Sequence, residues 1–101
     1  MRIIAHRTIV KYGKQHPDAK IPLDSWYKTV KAVEWKDHGD IKKSFNNVDY
    51  VGNQRYVFNI KGNNYRLVGN ILFVHQIIYI RFIGTHKEYD EIRLCNDLTI
   101  K

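Results

Sequence analysis

The chain has 101 residues, a length that predicts one domain. Its hydrophobic content of 44% is too high for a disordered chain, and no apolar stretch approaches the roughly 18–20 residues of a membrane span. The 17 basic and 10 acidic residues leave a net charge of +7, which favours a polyanionic partner through counterion release, although solubility alone also explains such a charge.

The start of the chain and its cysteine content indicate the cellular location. Met1–Arg7 lacks the long apolar run of a secretory signal. The one cysteine, Cys95, excludes an internal disulfide and agrees with a reducing cytosol. The basic residues are not gathered into a short run of the kind that binds a membrane surface. We therefore expect a cytoplasmic protein without a membrane partner.

The first half of the chain has the composition of helices. Arg2–Ala5 predicts a short strand, and His6–Gln15 predicts a helix that the following His-Pro pair ends. A second helix is predicted to start between Asp18 and Asp24, because Pro22 is tolerated only near a first turn. Apolar residues at helical spacing predict the face that packs on a sheet: Leu23, Trp26, Tyr27, Val30 and Val33.

A loop and a short strand connect this half to the sheet. Asp37–Asp40 predicts the loop, in which Asp40 caps a short helical turn. The connection Asn46–Asn53 contains a predicted strand at Asp49–Val51, and three consecutive strands follow within Arg55–Asp90. Helices followed by an antiparallel meander predict an α+β fold of two layers, in which the helices cover the apolar face of the sheet.

The register of the meander follows from its two turns. A Gly-Asn pair after the first strand is a turn signal, and a two-residue loop there places Asn59 opposite Arg66. The same loop places Arg55 opposite Asn70. A His-Gln pair after the second strand is a weaker signal, and it places Arg81 opposite Asn70.

Side chains alternate between two faces along a strand, so this register sorts the sheet into a polar and an apolar face. The polar one, called the cationic face below, is predicted to carry Arg55, Asn59, Lys61, Arg66, Asn70 and Arg81. The other is predicted to carry Tyr56, Phe58, Ile60, Leu67, Phe73, Ile78, Ile80 and Phe82. We expect the cationic face to stay open as a shallow cleft.

Arg66 and Arg81 are the candidates for chemistry on a phosphodiester. A guanidinium stays protonated and donates two parallel hydrogen bonds, which suits a phosphorane that carries extra negative charge. The alternative for each is an exposed arginine whose stem packs on the sheet. Their shared face favours a joint role in cleaving RNA.

The segment Thr85–Asp90 follows the last strand and carries His86. Histidine titrates near neutral pH and suits a general acid or base, although a lone histidine also serves as an ordinary hydrogen-bonded residue. Tyr89 projects on the same side if the segment is helical, and its ring either stacks on a base or packs against the sheet edge. Lys61 and Lys87 are predicted at the rim, as phosphate contacts or as solvated charges.

The other polar residues do not suggest a cofactor. Glu88 and Asp90 are interpreted as cap or solvent residues, though either also suits a base. The chain has no Gly-rich phosphate loop and no nucleophilic serine motif. We expect no metal, because the remaining histidines lack ligand spacing: His6, His16, His38 and His75.

Five segments carry a family pattern: His16–Lys20, Tyr56–Asn63, Arg66–Val68, Tyr79–Arg81 and Thr85–Asp90. Together they resemble the HigB family of bacterial toxins, within the RelE-like superfamily. The most specific parts are Phe-Asn-Ile-Lys-Gly-Asn and Thr-His-Lys-Glu-Tyr-Asp. The resemblance implies a RelE-like domain over residues 1–92, followed by a tail, 93–101, that departs from the family pattern.

The resemblance also implies a function, that of a type II toxin acting as an mRNA interferase. Such toxins enter the ribosomal A site and cut mRNA there without a metal, so that translation stops. The ribose 2′-OH attacks the adjacent phosphate and leaves a 2′,3′-cyclic phosphate and a 5′-OH. The implied partners are mRNA, the 70S ribosome and a HigA-type antitoxin with a helix-turn-helix domain, and operator DNA is reached only through that antitoxin.

Residue roles follow from the same resemblance. Arg66 and Arg81 look like the phosphate and transition-state stabilisers, His86 like the general acid or base, and Tyr89 like a residue that positions the nucleotide. The RNA-binding set is completed by Arg55, Asn59, Lys61, Asn70 and Lys87. Two alternatives remain: a non-catalytic module that binds RNA or the ribosome through the same face, and an inactive toxin held by its antitoxin.

Overall fold

The computed structural model of the chain describes residues 1–62 and 64–94. Its elements are β1 (Arg2–Ile4), α1 (His6–Gln15), α2 (Pro17–Ala32), α3 (His38–Ser44), β2 (Val48–Tyr50), β3 (Arg55–Ile60), β4 (Tyr65–Leu72), β5 (Ile77–Thr85) and α4 (His86–Leu94). Residues 93 and 94 of the predicted tail belong to α4, and residues 95–101 lie outside the described part. The boundary at residue 92 therefore stays a prediction.

One five-stranded sheet organises the fold, with strand order β1-β5-β4-β3-β2. β1 pairs with β5 in parallel, and the remaining neighbours pair antiparallel. α1 and α2 pack together and against the sheet, where they contact β5, β1 and β3. The predicted α+β fold, with the N-terminal helices on one face of a mainly antiparallel sheet, is confirmed.

The second helix begins earlier than predicted. It starts at Pro17 and carries Pro22 in its interior, so the predicted start between Asp18 and Asp24 is wrong. Proline fits the first helical position, because the N–H group it lacks has no partner there. Pro22 removes one later bond, to the Asp18 carbonyl. The buried face of the helix outweighs this loss, and it consists of Ala19, Leu23, Trp26 and Val30.

The third helix also differs from its prediction. Asp37, rather than Asp40, is its N-cap, and the Asp37 side chain accepts a hydrogen bond from the Asp40 N–H at 3.0 Å. The Asp40 carboxylate in turn accepts from the Lys36 N–H at 2.9 Å, so both acids close the turn. The short strand β2 lies one residue earlier than the predicted 49–51.

The two hairpins of the meander differ in how well sequence specified them. The β3–β4 register is confirmed, with Asn59 opposite Arg66 and Arg55 opposite Asn70. The β4–β5 register is wrong, because the loop has four residues and the strands resume at Leu72 and Ile77. Asn70 consequently lies opposite Tyr79 rather than Arg81.

A β-bulge makes Arg81 an extra residue of β5. Gly69 pairs with Ile80 and the preceding Val68 pairs with Phe82, so no β4 residue lies directly opposite Arg81. Beyond this point the alternation of β5 shifts by one residue. Phe82 therefore lies on the cationic face, which corrects its predicted place in the core. The remaining predicted core residues pack as expected: Tyr56, Phe58, Ile60, Leu67, Phe73, Ile78 and Ile80.

Candidate active site

Arg81 lies on the cationic face, in the bulge of β5. Its Nε donates a hydrogen bond of 2.7 Å to Oδ1 of Asn70, and its guanidinium carbon lies 5.8 Å from the centre of the Tyr79 ring. Arg81 is exposed, and within residues 1–62 and 64–94 it forms no ion pair with a carboxylate. Within the described part of the chain no carboxylate pairs with the guanidinium, which presents its positive charge to solvent from the position that Asn70 fixes.

Arg66 lies on the same face, further along β4. It is half-buried, opposite Asn59 on β3 and Gly84 on β5. Its Nη1 makes a long contact of 3.4 Å with the carbonyl oxygen of Tyr65. The structure therefore places both predicted arginines on one face, although the bulge rather than the predicted register brings Arg81 there.

The cationic face is not the open surface that the sequence predicted. The α4 helix packs on β5 and β4, and Tyr89 is only 8% exposed. Its ring forms a small apolar cluster with Val57, Val68 and Phe82. The bulge explains why α4 covers this part of the face, because it turns Phe82 toward α4. The structure thus brings the Tyr89 ring against the sheet, the second of the two interpretations weighed for it.

The first turn of α4 is closed by a reciprocal pair of hydrogen bonds. The Glu88 N–H donates to Oγ1 of Thr85 at 3.1 Å, and the Thr85 N–H donates to Oε1 of Glu88 at 2.8 Å. This is a capping box. The backbone N–H of His86 also donates to the Asn64 carbonyl at 3.0 Å, which fixes the helix to the β3–β4 turn. Glu88 is confirmed as a cap residue.

His86 is held at the exposed surface of α4. Its Nδ1 lies 2.9 Å from Oδ2 of Asp90, one helical turn later, and both side chains are about half exposed. A carboxylate that accepts from one ring nitrogen leaves the other nitrogen for proton exchange with a ligand. His86 and Tyr89 share one helix, yet His86 is solvated while Tyr89 is buried.

The predicted RNA-binding residues occupy three different environments. Arg55 is only 2% exposed, with its Nε 3.4 Å from the Gly52 carbonyl. Asn70 is 9% exposed, while Asn59 is half-buried. Lys87 is exposed on α4. The structure therefore offers Asn59 and Lys87 to a ligand more readily than Arg55 and Asn70.

Lys61 does not lie on the cationic face, which corrects its predicted position. It follows the end of β3 with a φ of 52°, so the strand alternation no longer applies to it. Its Nζ forms an ion pair of 3.0 Å with Asp18 of α2. Lys61 therefore points to the helical layer.

A cluster behind the site was missed by sequence reasoning. The Tyr65 hydroxyl lies 2.7 and 2.9 Å from the two carboxylate oxygens of Asp18, and the rings of Tyr12 and His16 stack at 4.0 Å. Hydrogen bonds from Tyr65 and then Lys61 lower the pKa of Asp18, and burial raises the pKa of Tyr12 to about 12. The signal for this cluster was the His-Pro-Asp segment at 16–18. The bonds to Asp18 hold Tyr65 in place beside Arg66.

Two absences in the described part of the chain bear on function. Within it, no three His, Cys, Asp or Glu side chains are grouped to hold a metal ion. None of its helices is long and apolar enough to cross a membrane.

Comparisons with known proteins show the family of the chain. Residues 19–92 match the model of the HigB toxin family, described as the RelE-like toxic component of a toxin-antitoxin system. The mRNA interferase HigB of Escherichia coli O6:H1 is 28% identical over 94 residues, which cover 91% of each chain. The mRNA interferase HigB of Shigella flexneri is 32% identical over 93 residues, which cover 89% of this chain and 88% of the relative.

Proposed function

The chain belongs to the HigB family, the RelE-like toxic component of toxin–antitoxin systems, and we propose that it is an endoribonuclease that cuts mRNA on the ribosome. The toxin component implies an antitoxin partner. We assign this partner to the HigA type, with a helix-turn-helix domain, and place the enzyme in the cytoplasm, where its mRNA and ribosome partners are.

The exposed guanidinium of Arg81, which forms no ion pair within the described part of the chain, carries this proposal. Cleavage of RNA passes through a phosphorane with more negative charge than the ground state, and a positioned guanidinium stabilises that added charge. Arg66 on the same face supplies a second guanidinium. The two arginines supply positive charge at the phosphate that a metal ion supplies in other nucleases.

The proposed reaction needs no external co-reactant. The 2′-OH loses its proton, the 2′-oxygen attacks the adjacent phosphorus, and the bond from phosphorus to the 5′-oxygen breaks. The 5′-oxygen takes up a proton, which leaves a 2′,3′-cyclic phosphate and a 5′-OH. His86 is assigned to proton transfer, as the base for the 2′-OH or as the acid for the 5′-oxygen, and Asp90 orients its ring.

The other residues near the site have supporting roles. Asn59 beside Arg66 and Lys87 on α4 are exposed enough to contact neighbouring phosphates. Tyr89 supports the site by holding α4 on the sheet, because its buried ring has little surface for stacking on a base.

The test is a cleavage assay on ribosomes programmed with a short mRNA. The 3′ ends of the fragments are mapped for wild type, for Arg81→Ala, and for Arg7→Ala, which removes an exposed arginine from α1 in the helical layer. We expect a cyclic-phosphate end with wild type and Arg7→Ala, and a loss of cleavage of about 100-fold or more with Arg81→Ala. Binding of wild type to ribosomes without cleavage contradicts the proposal and favours the non-catalytic module.

A further inference from the structure

We propose that Asn70 and Tyr79 are positioning residues that hold Arg81 in the orientation in which it meets phosphate, and that Asn70 itself makes no contact with RNA. This inference rests on the proposed function for the role of Arg81. It reassigns Asn70 from the predicted RNA-binding set, and it gives Tyr79 a role that the sequence did not suggest.

The bulge creates the need for such support. An ordinary strand residue has a neighbour directly opposite it, but Arg81 is the extra residue between Ile80 and Phe82 and has none on β4. A bulge re-aims one side chain, and here it lets Arg81 and Phe82 both face the cationic side. Phe82 is fixed by its cluster with Val57, Val68 and Tyr89 under α4. Arg81 is not part of that cluster, so a different contact must limit its rotamers.

Asn70 supplies that contact with both ends of its amide. Oδ1 accepts from Arg81 Nε at 2.7 Å, and Nδ2 donates to the carbonyl of Asn53 at 3.1 Å. These two bonds define the orientation of the amide, because a flipped amide would set its NH₂ group against the Nε–H of Arg81. With 9% of the residue exposed, Asn70 has little surface left for RNA.

The neutrality of Asn70 matters as much as its geometry. An aspartate at this position would also accept from Arg81 Nε, but its charge would compensate the guanidinium that is meant for phosphate. An amide oxygen orients the guanidinium and leaves its full charge available. The second contact of Arg81 is with Tyr79, which lies opposite Asn70 in the register. The Tyr79 ring is a cation–π partner of the guanidinium, and it likewise adds no charge.

A double-mutant cycle tests the link between Asn70 and Arg81. Single-turnover cleavage is measured for Asn70→Ala, Arg81→Ala and the double variant, with folding checked by thermal melts. We expect Asn70→Ala to lower the rate about tenfold or more, and to lower it no further when Arg81 is already alanine. Equal factors in both backgrounds overturn the proposal, because Asn70 then acts independently of Arg81.

Two conservative variants, Asn70→Asp and Tyr79→Phe, sharpen the test. Asn70→Asp is expected to keep the bond to Arg81, yet to weaken the binding of RNA and make that binding less dependent on salt, because the added carboxylate compensates the charge of the guanidinium. Tyr79→Phe is expected to restore the activity that Tyr79→Leu loses, because the ring and not the hydroxyl meets Arg81. Loss of activity in Tyr79→Phe equal to that in Tyr79→Leu contradicts the proposed ring contact.

A measurement without activity separates this inference from the proposed function. The Nε–H signal of Arg81 is followed by NMR in the free protein, with the signal of exposed Arg7 as the reference. We expect a slowly exchanging, ordered Nε–H for Arg81 that becomes as mobile as that of Arg7 in Asn70→Ala. A mobile Arg81 in wild type overturns the positioning role, whereas ordered Arg81 in a protein that does not cleave mRNA refutes only the proposed function.

Discussion

Tyr65 and Asp18 join the sheet to the helical layer by hydrogen bonds of 2.7 and 2.9 Å from one hydroxyl to both carboxylate oxygens. The two residues lie 47 positions apart in the chain. Lys61 adds an ion pair of 3.0 Å to the same carboxylate. Tyr65 directly precedes Arg66, and the carbonyl of the preceding Asn64 accepts from the N–H of His86 at the start of α4. The contact between Tyr65 and Asp18 therefore fixes the end of β4 from which both Arg66 and α4 are positioned.

The first prediction concerns the pH dependence of stability. The bonds from Tyr65 and Lys61 stabilise the charged carboxylate, so the pKa of Asp18 in the folded protein lies below its ordinary value of 3.8. The stabilisation is therefore present above that value and is lost as the pH falls through the lower, folded pKa. In urea unfolding between about pH 5 and pH 2, we expect Asp18→Asn to flatten the decline in the free energy of unfolding.

The control for this experiment is Asp24→Asn, which removes an exposed carboxylate from the same helix. It is expected to retain the decline seen in wild type. If Asp18→Asn and wild type lose stability in parallel over this range, the bond between Asp18 and Tyr65 does not stabilise the fold.

The second prediction concerns the capping box of α4. Thr85→Ala removes the side chain that accepts from the Glu88 N–H, and we expect a loss of about 1 kcal/mol in the free energy of unfolding. Cleavage should also fall, because α4 carries His86. Thr85→Ser should recover both the stability and the cleavage activity, and Thr8→Ala on α1 should change neither of them. Equal stability of Thr85→Ala and Thr8→Ala in chemical denaturation would argue against the cap.

The sequence predicted the β3–β4 hairpin because its turn signal is local. A Gly-Asn pair set the register, and the strand alternation then sorted the side chains of β3 and β4 correctly, whereas Lys61, after the end of β3, was misplaced. The β4–β5 hairpin had no comparable signal. Its four-residue turn is closed by the bond from the Gln76 N–H to the Phe73 carbonyl. The bulge in β5 depends on packing between distant elements, because Phe82 turns toward Tyr89 of α4. The sequence did not specify how α4 packs on the sheet.

The candidate site was predictable to the same extent. Arg66 and Arg81 were placed on one face from the strand alternation and the two predicted turns, although the register predicted for Arg81 was wrong. Asn70 was correctly predicted as the neighbour of Arg81, but not through the predicted register. Arg81 reaches Asn70 from the bulge, by a hydrogen bond rather than by lying opposite it. The ion pair of Lys61 with Asp18 escaped prediction, since no local pattern connects residues so far apart in the chain.

The third prediction separates packing from base stacking at Tyr89. Tyr89→Ala removes a buried ring from Val57, Val68 and Phe82, and we expect a loss of roughly 3 kcal/mol in stability with a matching loss of activity. Tyr89→Leu keeps apolar bulk and should retain most of both. Tyr50→Ala, at an exposed tyrosine of β2, should cost less. A stable Tyr89→Leu protein that cleaves no mRNA would indicate that the ring contacts a nucleotide.

The fourth prediction assigns proton transfer to His86. His86→Gln keeps a polar side chain of similar length but cannot exchange a proton near neutral pH, so we expect single-turnover cleavage to fall by about 100-fold or more while ribosome binding is retained. Asp90→Asn leaves the imidazole but weakens its orientation by the contact of 2.9 Å, and a smaller loss of about tenfold is expected. His75→Gln, in the exposed β4–β5 turn, serves as the matched control. Wild-type cleavage by His86→Gln would assign proton transfer to a residue other than His86 and leave Arg81 as the main catalytic group.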